Sequence, residues 1–241
     1  MLFKEDTMTE RIFTPKEKST WNKILKIHED KRQNQIIDIF TDGVEKLGIT
    51  SEYIPQLEEV NDTLSSLTGF KGEYVAGLED GNSFYKMLSN RIFPIGDFVR
   101  SNVDLNYTPA PDMVHDLYGH LPFLTNTNYA DFCQKFGEQT CEVFDNSEKL
   151  RMYERFFWFT IEFGLIKTSS GKRIFGAGIA SSVGECEYAL SESPIIHDFD
   201  VDYIINHEFR IDKMQDELFI LDSTEQLYAS LNELEEKIND W

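Results

Sequence analysis

Two of the five histidines lie in one short string, Pro111-Asp-Met-Val-His115-Asp-Leu-Tyr-Gly-His120. Imidazoles so close in sequence could share a metal ion, which binds neutral ring nitrogens. Their spacing resists this on a regular helix. At about 100° per residue, i and i+5 point about 140° apart, whereas the i, i+4 pair of a zincin helix is separated by only about 40°. Convergence therefore requires a departure from α-helix, with at least one histidine at an element end. Gly119, which frees the backbone, and Pro122, which cannot continue a helix, supply the irregularity. Taken alone, such a pair is more often two hydrogen-bonded, partly buried histidines than a metal site.

A second string shifts the balance. In Phe156-Phe-Trp158-Phe-Thr160-Ile-Glu162-Phe-Gly164-Leu one carboxylate stands in an otherwise almost wholly apolar run. An unpaired buried carboxylate costs several kcal/mol, and no Lys or Arg lies between Arg155 and Lys167. A distant arginine could pair with Glu162, but a metal ion is the more economical partner. Two imidazoles and one carboxylate on one face of an octahedron form the facial triad of non-haem Fe(II) oxygenases, with the remaining positions open.

The elements that must position these residues are mainly helical. Trp21, Leu25 and His28 recur at helical spacing, and Ile36, Phe40, Val44 and Leu47 repeat until Gly48, which predicts two helices or one long bent one. Pro55 reads as a first-turn proline for a helix with Leu57, Val60, Leu64 and Leu67 on one face, ended by Gly69. Tyr74 and Val75 suggest a short strand, and Asn82 or Ser83 can cap a helix carrying Phe84, Met87, Leu88 and Ile92. Short β-like pieces follow between Gly171 and Phe219. Ser223 and Gln226 open a last helix with Leu227, Leu231, Leu234 and Ile238 on one side. The expectation is an α+β fold, mainly α-helical, with a flexible N-terminal arm over residues 1–14 and one domain over 15–241.

Composition narrows the function classes. With 41% hydrophobic residues in 241, the chain can build a substantial core. Its 23 basic against 43 acidic residues give a net charge of -20, leaving a nucleic-acid backbone nothing to grip. No apolar run approaches the roughly 20 residues of a membrane span, and the charged N-terminus is unlike a signal peptide. Three cysteines without CxxC spacing suggest neither a disulfide framework nor a zinc site. A cytoplasmic enzyme without nucleic-acid or membrane partners is expected.

Three strings in order, Tyr107-Thr-Pro-Ala-Pro-Asp-Met-Val-His115-Asp-Leu-Tyr-Gly-His120, Trp158-Phe-Thr-Ile-Glu162-Phe-Gly-Leu and Phe175-Gly-Ala-Gly-Ile-Ala-Ser-Ser-Val-Gly-Glu185, closely resemble the catalytic domain of the pterin-dependent aromatic amino acid hydroxylases. Upstream, Ile54-Pro-Gln-Leu-Glu-Glu-Val, Thr68-Gly-Phe and Val75-Ala-Gly-Leu resemble the same family, so the likeness runs from about residue 20 to the end. It implies a monooxygenase using Fe(II), dioxygen and tetrahydrobiopterin or a related tetrahydropterin. His115, His120 and Glu162 would hold the iron. Arg100 would pair with the substrate carboxylate, Thr108 and Ser181 would help hold it, and Trp158 would wall the pocket. Gly77, Leu78, Phe84 and Asp116 would contact the pterin.

Trp158 resembles the phenylalanine and tyrosine enzymes, and Phe93-Pro94 resembles the bacterial phenylalanine enzymes. Phe175 and the Ile211 region look closer to the tryptophan enzymes. The leading expectation is L-phenylalanine converted to L-tyrosine by a monomer. The same chemistry on tryptophan or tyrosine, or at another ring position such as phenylalanine 3-hydroxylation, stays open. A 2-oxoglutarate-dependent oxygenase usually reads His-x-Asp before a distant His on a β-barrel, and the spacing of the candidate ligands and the helical content here argue against it. A non-catalytic acidic helical interaction module would hold no stoichiometric iron.

Overall fold

The computed structural model describes residues 10–77, 80–101 and 111–241. Helix α1 (Pro15–Gln35) starts where the arm was expected to end. Thr14 caps it, accepting from the Glu17 N–H at 3.2 Å while Glu17 accepts from the Thr14 N–H at 2.8 Å, and Pro15 occupies a first-turn position that needs no N–H. Packing reaches back before the helix: Phe13 is buried, and the Arg11 N–H donates to Gln56 at 3.0 Å.

Ile36 and Ile37 break the helical pattern because a distant strand claims them. Ile36 bridges Ile174, and the Ile37 N–H donates to the Ile174 carbonyl at 3.1 Å. The result is a separate helix α2 (Asp38–Lys46), ended by Gly48 at φ 63°. Helix α3 (Leu57–Thr68) begins two residues after Pro55, which is therefore outside the first turn. Glu59 in that turn reaches back to accept from the Gln56 N–H at 2.9 Å.

Strand β1 (Lys71–Val75) and strand β2 (Ile92–Gly96) pair in parallel around helix α4 (Gly81–Ser89). Asp80, rather than Asn82 or Ser83, caps α4 by accepting from the Ser83 N–H at 3.0 Å. Helices α5 (Thr127–Cys141) and α6 (Ser147–Phe157) follow, with α4 packed on α5. Strands β3 (Leu165–Thr168) and β4 (Gly171–Ile174) form a hairpin, followed by helices α7 (Ala177–Ala180) and α8 (Val183–Leu190). Strand β5 (Ile195–Asp198), helix α9 (Val201–Asn206) and strand β6 (Glu217–Leu221) complete a four-stranded sheet of order β4-β3-β6-β5. Helix α10 (Thr224–Asp240) closes the chain, its cap Ser223 accepting from the Gln226 N–H at 3.3 Å. The α+β, mainly helical architecture matches the expectation.

Two π-helices interrupt this frame, Val114–His120 and Trp158–Glu162. Both abut α7, which brings them to one place. Among the described residues no helix is long and apolar enough to cross a membrane.

The core also holds a histidine outside the site. His28 is 2% exposed, its ring 5.2 Å from that of Tyr118, and its Nε2 has no hydrogen-bond partner among the described residues. Burial, assisted by the positive charges of Arg100 and Arg32, lowers its pKa to about 3. The folded state thus disfavours the proton that the unfolded chain takes up near pH 6.5. This contribution is complete above that pH and drains away as pH falls from 6.5 toward 3, costing about 2 kcal/mol at pH 5. Urea unfolding of wild type and His28→Leu at pH 7 and pH 5 checks this. The variant is expected to lose about 2 kcal/mol less between the two pH values, and parallel losses would refute it.

Candidate active site

The π-helix answers the spacing problem. Its backbone bonds run from i to i+5, as in the Leu121 N–H donating to the Asp116 carbonyl at 3.3 Å, so residues five apart return to nearly the same face. His115 lies inside this turn and His120 ends it. Gly119 serves close approach: a Cβ there would stand 2.9 Å from the Ala177 carbonyl oxygen and 3.0 Å from Ser181 Cβ. The second π-helix, closed by the Phe163 N–H donating to Trp158 O at 2.9 Å, delivers Glu162 from the opposite side. Gly178 on α7 makes room for it, since a Cβ there would meet Glu162 Oε2 at 2.9 Å.

Three ligand side chains meet at this point. His115 Nε2 and His120 Nε2 are 3.2 Å apart, His120 Nε2 is 3.0 Å from Glu162 Oε1, and His115 Nε2 is 3.6 Å from Glu162 Oε2. Two ligands at right angles around an ion, with bonds of about 2.1 Å, stand about 3.0 Å apart. The donor set therefore fits one face of an octahedral metal. Among the described residues it is the only cluster of three such side chains close enough to share an ion, and no Lys or Arg pairs with Glu162.

Charge and hydrogen bonding suit a metal. Burial lowers the His115 pKa to about 4 against the pull of Glu162, so the ring is neutral and its lone pair available. Burial works to raise Glu162, but the facing His120 and His115 rings outweigh it and hold the carboxyl below its ordinary value. His115 Nδ1 lies 3.3 Å from Ser181 Oγ, which itself donates to the Gly178 carbonyl at 3.2 Å. Ser181 thus accepts from Nδ1–H and fixes the tautomer that turns Nε2 toward the other ligands. The ring of Phe93 stacks on His120 at 4.5 Å and holds its orientation. Removing the outer hydrogen bond through Ser181→Ala is expected to weaken iron binding about 10- to 100-fold, measured by competition with a chelator; unchanged affinity would refute the tautomer role.

The triad opens into a cavity of about 350 Å³. Of the residues expected there, Gly77, Phe84, Asp116 and Trp158 line it. Gly77 takes φ 88°, a left-handed conformation that favours glycine. Phe84 stands edge-on to Tyr85, Phe93 and Phe157. Asp116 accepts from the Gly96 N–H at 2.7 Å, yet burial raises its pKa well above the ordinary range. Trp158 stacks on Phe209 at 4.4 Å and 15°. Leu78 and Thr108 lie outside the described residues.

Arg100 is buried, does not line this cavity, and carries a partner that sequence reasoning overlooked. Asp112, wholly buried, accepts from Arg100 Nη2 at 2.7 Å, from Nε at 3.1 Å and from the Arg100 N–H at 2.7 Å. It also accepts from the His115 N–H at 3.0 Å, so one carboxylate ties the guanidinium to the start of the metal-binding turn. Its place three residues before His115, in a string already singled out, was the available signal. Arg151, Glu154 and Phe209 also line the cavity and had no such signal, whereas Ile211 lines it from a region already singled out.

A cavity with apolar aromatic walls, a carboxylate on its side and an octahedral half-shell at its end suits a flat polar-edged ring system beside a metal. Comparison with known proteins agrees. Residues 2–240 match the family model described as biopterin-dependent aromatic amino acid hydroxylase. A phenylalanine-4-hydroxylase of Ralstonia nicotianae is 38% identical over 90% of this chain and 69% of its own length, and one of Pseudomonas aeruginosa is 34% identical over 90% and 82%. A crystal structure of the Chromobacterium violaceum phenylalanine hydroxylase, with bound iron(III) and the oxidised cofactor 7,8-dihydrobiopterin, superposes with a TM-score of 0.88 at 35% identity, covering 95% of this chain and 84% of that one. The histidine turn, the glutamate that faces it and the cavity they close are thus the centre of a chain that belongs to the biopterin-dependent aromatic amino acid hydroxylase family.

Proposed function

We propose that this chain is an iron- and tetrahydropterin-dependent monooxygenase that converts L-phenylalanine to L-tyrosine. The observation that carries the reading is the set of three side chains, His115, His120 and Glu162, whose donor atoms approach one another at 3.0–3.6 Å at the end of an aromatic-walled cavity. Bacterial relatives named phenylalanine-4-hydroxylase support the choice of substrate.

His115, His120 and Glu162 would hold Fe(II) at the end of the cavity. Iron and reduced pterin, when bound, supply the activation of dioxygen. The remaining work is positional. Trp158, stacked on Phe209, gives the substrate ring a flat wall and keeps water from it. Arg100, its guanidinium held in plane by Asp112, is set to take the α-carboxylate in a fork-like contact, with Thr108 and Ser181 beside it. Gly77, Leu78, Phe84 and Asp116 form the pterin side. Asp116, which lines the cavity beside the triad, can hydrogen-bond the pterin edge through water. The catalytic unit is residues 15–241, working as a cytoplasmic monomer without nucleic-acid or membrane partners, consistent with its net charge of -20.

The test is an aerobic reaction containing protein, Fe(II), a tetrahydropterin and equal phenylalanine, tyrosine and tryptophan, with every singly oxygenated product resolved by chromatography and mass. Para-tyrosine is expected to predominate. Meta-tyrosine, a dihydroxyphenylalanine or hydroxytryptophan would overturn the assigned specificity, and no product despite bound iron would overturn the activity.

A further inference from the structure

The α6 wall of the cavity, one turn before the Phe157 ring that packs on Phe84, carries a charged pair. Arg151 and Glu154, on successive turns of α6, both line the cavity, and Arg151 Nη1 donates to Glu154 Oε2 at 3.2 Å. Their side chains are 38% and 30% exposed, so they stand at the mouth, whereas Asp116 lies at the buried end beside the triad. The second oxygen, Glu154 Oε1, accepts no hydrogen bond from the described residues. It approaches the first turn of α4 across Gly81, lying 3.4 Å from the position a Cβ would take there. Gly81, itself a lining residue, thus leaves a polar cradle between α4 and α6.

Arg151 explains only half of this carboxylate. The guanidinium is already served by Glu208 at 3.3 Å and stacks on Phe209 at 4.5 Å. Glu154 is not required to hold it in place. A carboxylate oxygen directed to a cavity mouth is an acceptor for hydroxyl or N–H groups of the cavity's occupant.

Resting on the cofactor reading above, we propose that Glu154 determines pterin specificity by accepting hydrogen bonds, through Oε1, from the hydroxyl groups of the side chain at C6 of the pterin. The rigid bicycle must lie near the triad for its chemistry, between Phe84 and the buried Asp116. Its flexible hydroxylated substituent is the part that loses least by lying at the half-exposed mouth, where water can reach the hydroxyls that Glu154 does not. A pterin with only a methyl group at C6 offers nothing to this carboxylate. The chain therefore selects for hydroxylated pterins through a residue remote from the iron.

The assignment is tested by calorimetric binding to the iron-loaded full chain, using 7,8-dihydrobiopterin and 6-methyl-7,8-dihydropterin, neither of which turns over. Glu154→Ala is expected to weaken dihydrobiopterin binding about tenfold, as for loss of a hydrogen bond to a charged acceptor, and to leave the 6-methyl compound within about twofold. Glu154→Gln, which keeps an acceptor oxygen of the same reach, is expected to fall between wild type and alanine for dihydrobiopterin. Equal weakening of both pterins would show a packing role through Arg151 and overturn the proposal, as would unchanged binding of both. Wild-type protein that binds neither pterin would instead defeat the cofactor reading itself, and this assignment with it.

Discussion

Replacement of His120 or Glu162 by alanine is expected to abolish stoichiometric iron and, with it, tetrahydropterin-dependent turnover. Each supplies one of three ligand atoms, and the two face each other at 3.0 Å. Losing an outer hydrogen bond to a metal ligand costs about 10–100-fold, so loss of the ligand itself exceeds about a hundredfold in affinity. The two variants differ in stability, which separates them from trivial unfolding. Without the metal, Glu162 is a buried carboxylate whose described partners are the two histidines. His120→Ala removes the nearer partner and leaves that charge less compensated, whereas Glu162→Ala removes the charge. In metal-free protein Glu162→Ala is therefore the more stable of the pair. Iron by elemental analysis, turnover and urea unfolding of the apo forms check all three statements. Full-stoichiometry iron in either variant would refute the triad.

The triad was legible because each member broke a local pattern: two histidines at a spacing wrong for a helix, and one carboxylate in an apolar run. The device that reconciles them was not. Whether a turn closes from i to i+4 or from i to i+5 depends on what packs against it. Here that is α7, whose Ala177 carbonyl lies against Gly119 and whose Gly178 admits Glu162. The same distinction runs through the fold. The last helix was readable from Ser223 and its apolar stripe because a cap acts within four residues. The break between α1 and α2 was not, since Ile36 and Ile37 are pulled straight by Ile174, far along the chain. Arg151 and Glu154 look like the solvated face of an amphipathic helix until α4 is placed opposite them. Asp112 was hidden for a like reason: its meaning depends on Arg100, twelve residues earlier, folding back onto it.

That pairing sets the second large effect. Asp112 receives three hydrogen bonds from Arg100 and a fourth from the His115 backbone, with 5% exposure of the arginine and none of the aspartate. Asp112→Ala takes the acid from a buried guanidinium, and breaking such a pair costs about 3–5 kcal/mol, a large share of the about 5–15 kcal/mol that holds a domain together. Replacing both partners, Arg100→Met with Asp112→Ala, leaves no unpaired charge and is expected to recover more than about 1 kcal/mol of that loss. Substrate binding should behave differently. The guanidinium that takes the α-carboxylate is missing in the double variant, so phenylalanine affinity stays low while stability returns. Asp112→Asn separates the remaining role: its amide oxygen still accepts from the His115 N–H, so iron is retained, but the guanidinium loses its charged guide and the KM for phenylalanine rises. Urea unfolding and substrate binding of the three variants give the two readings independently. An Asp112→Ala protein within about 1 kcal/mol of wild type would mean that the ion pair is not structural. Recovery of phenylalanine affinity in the double variant would mean that Arg100 does not hold the carboxylate.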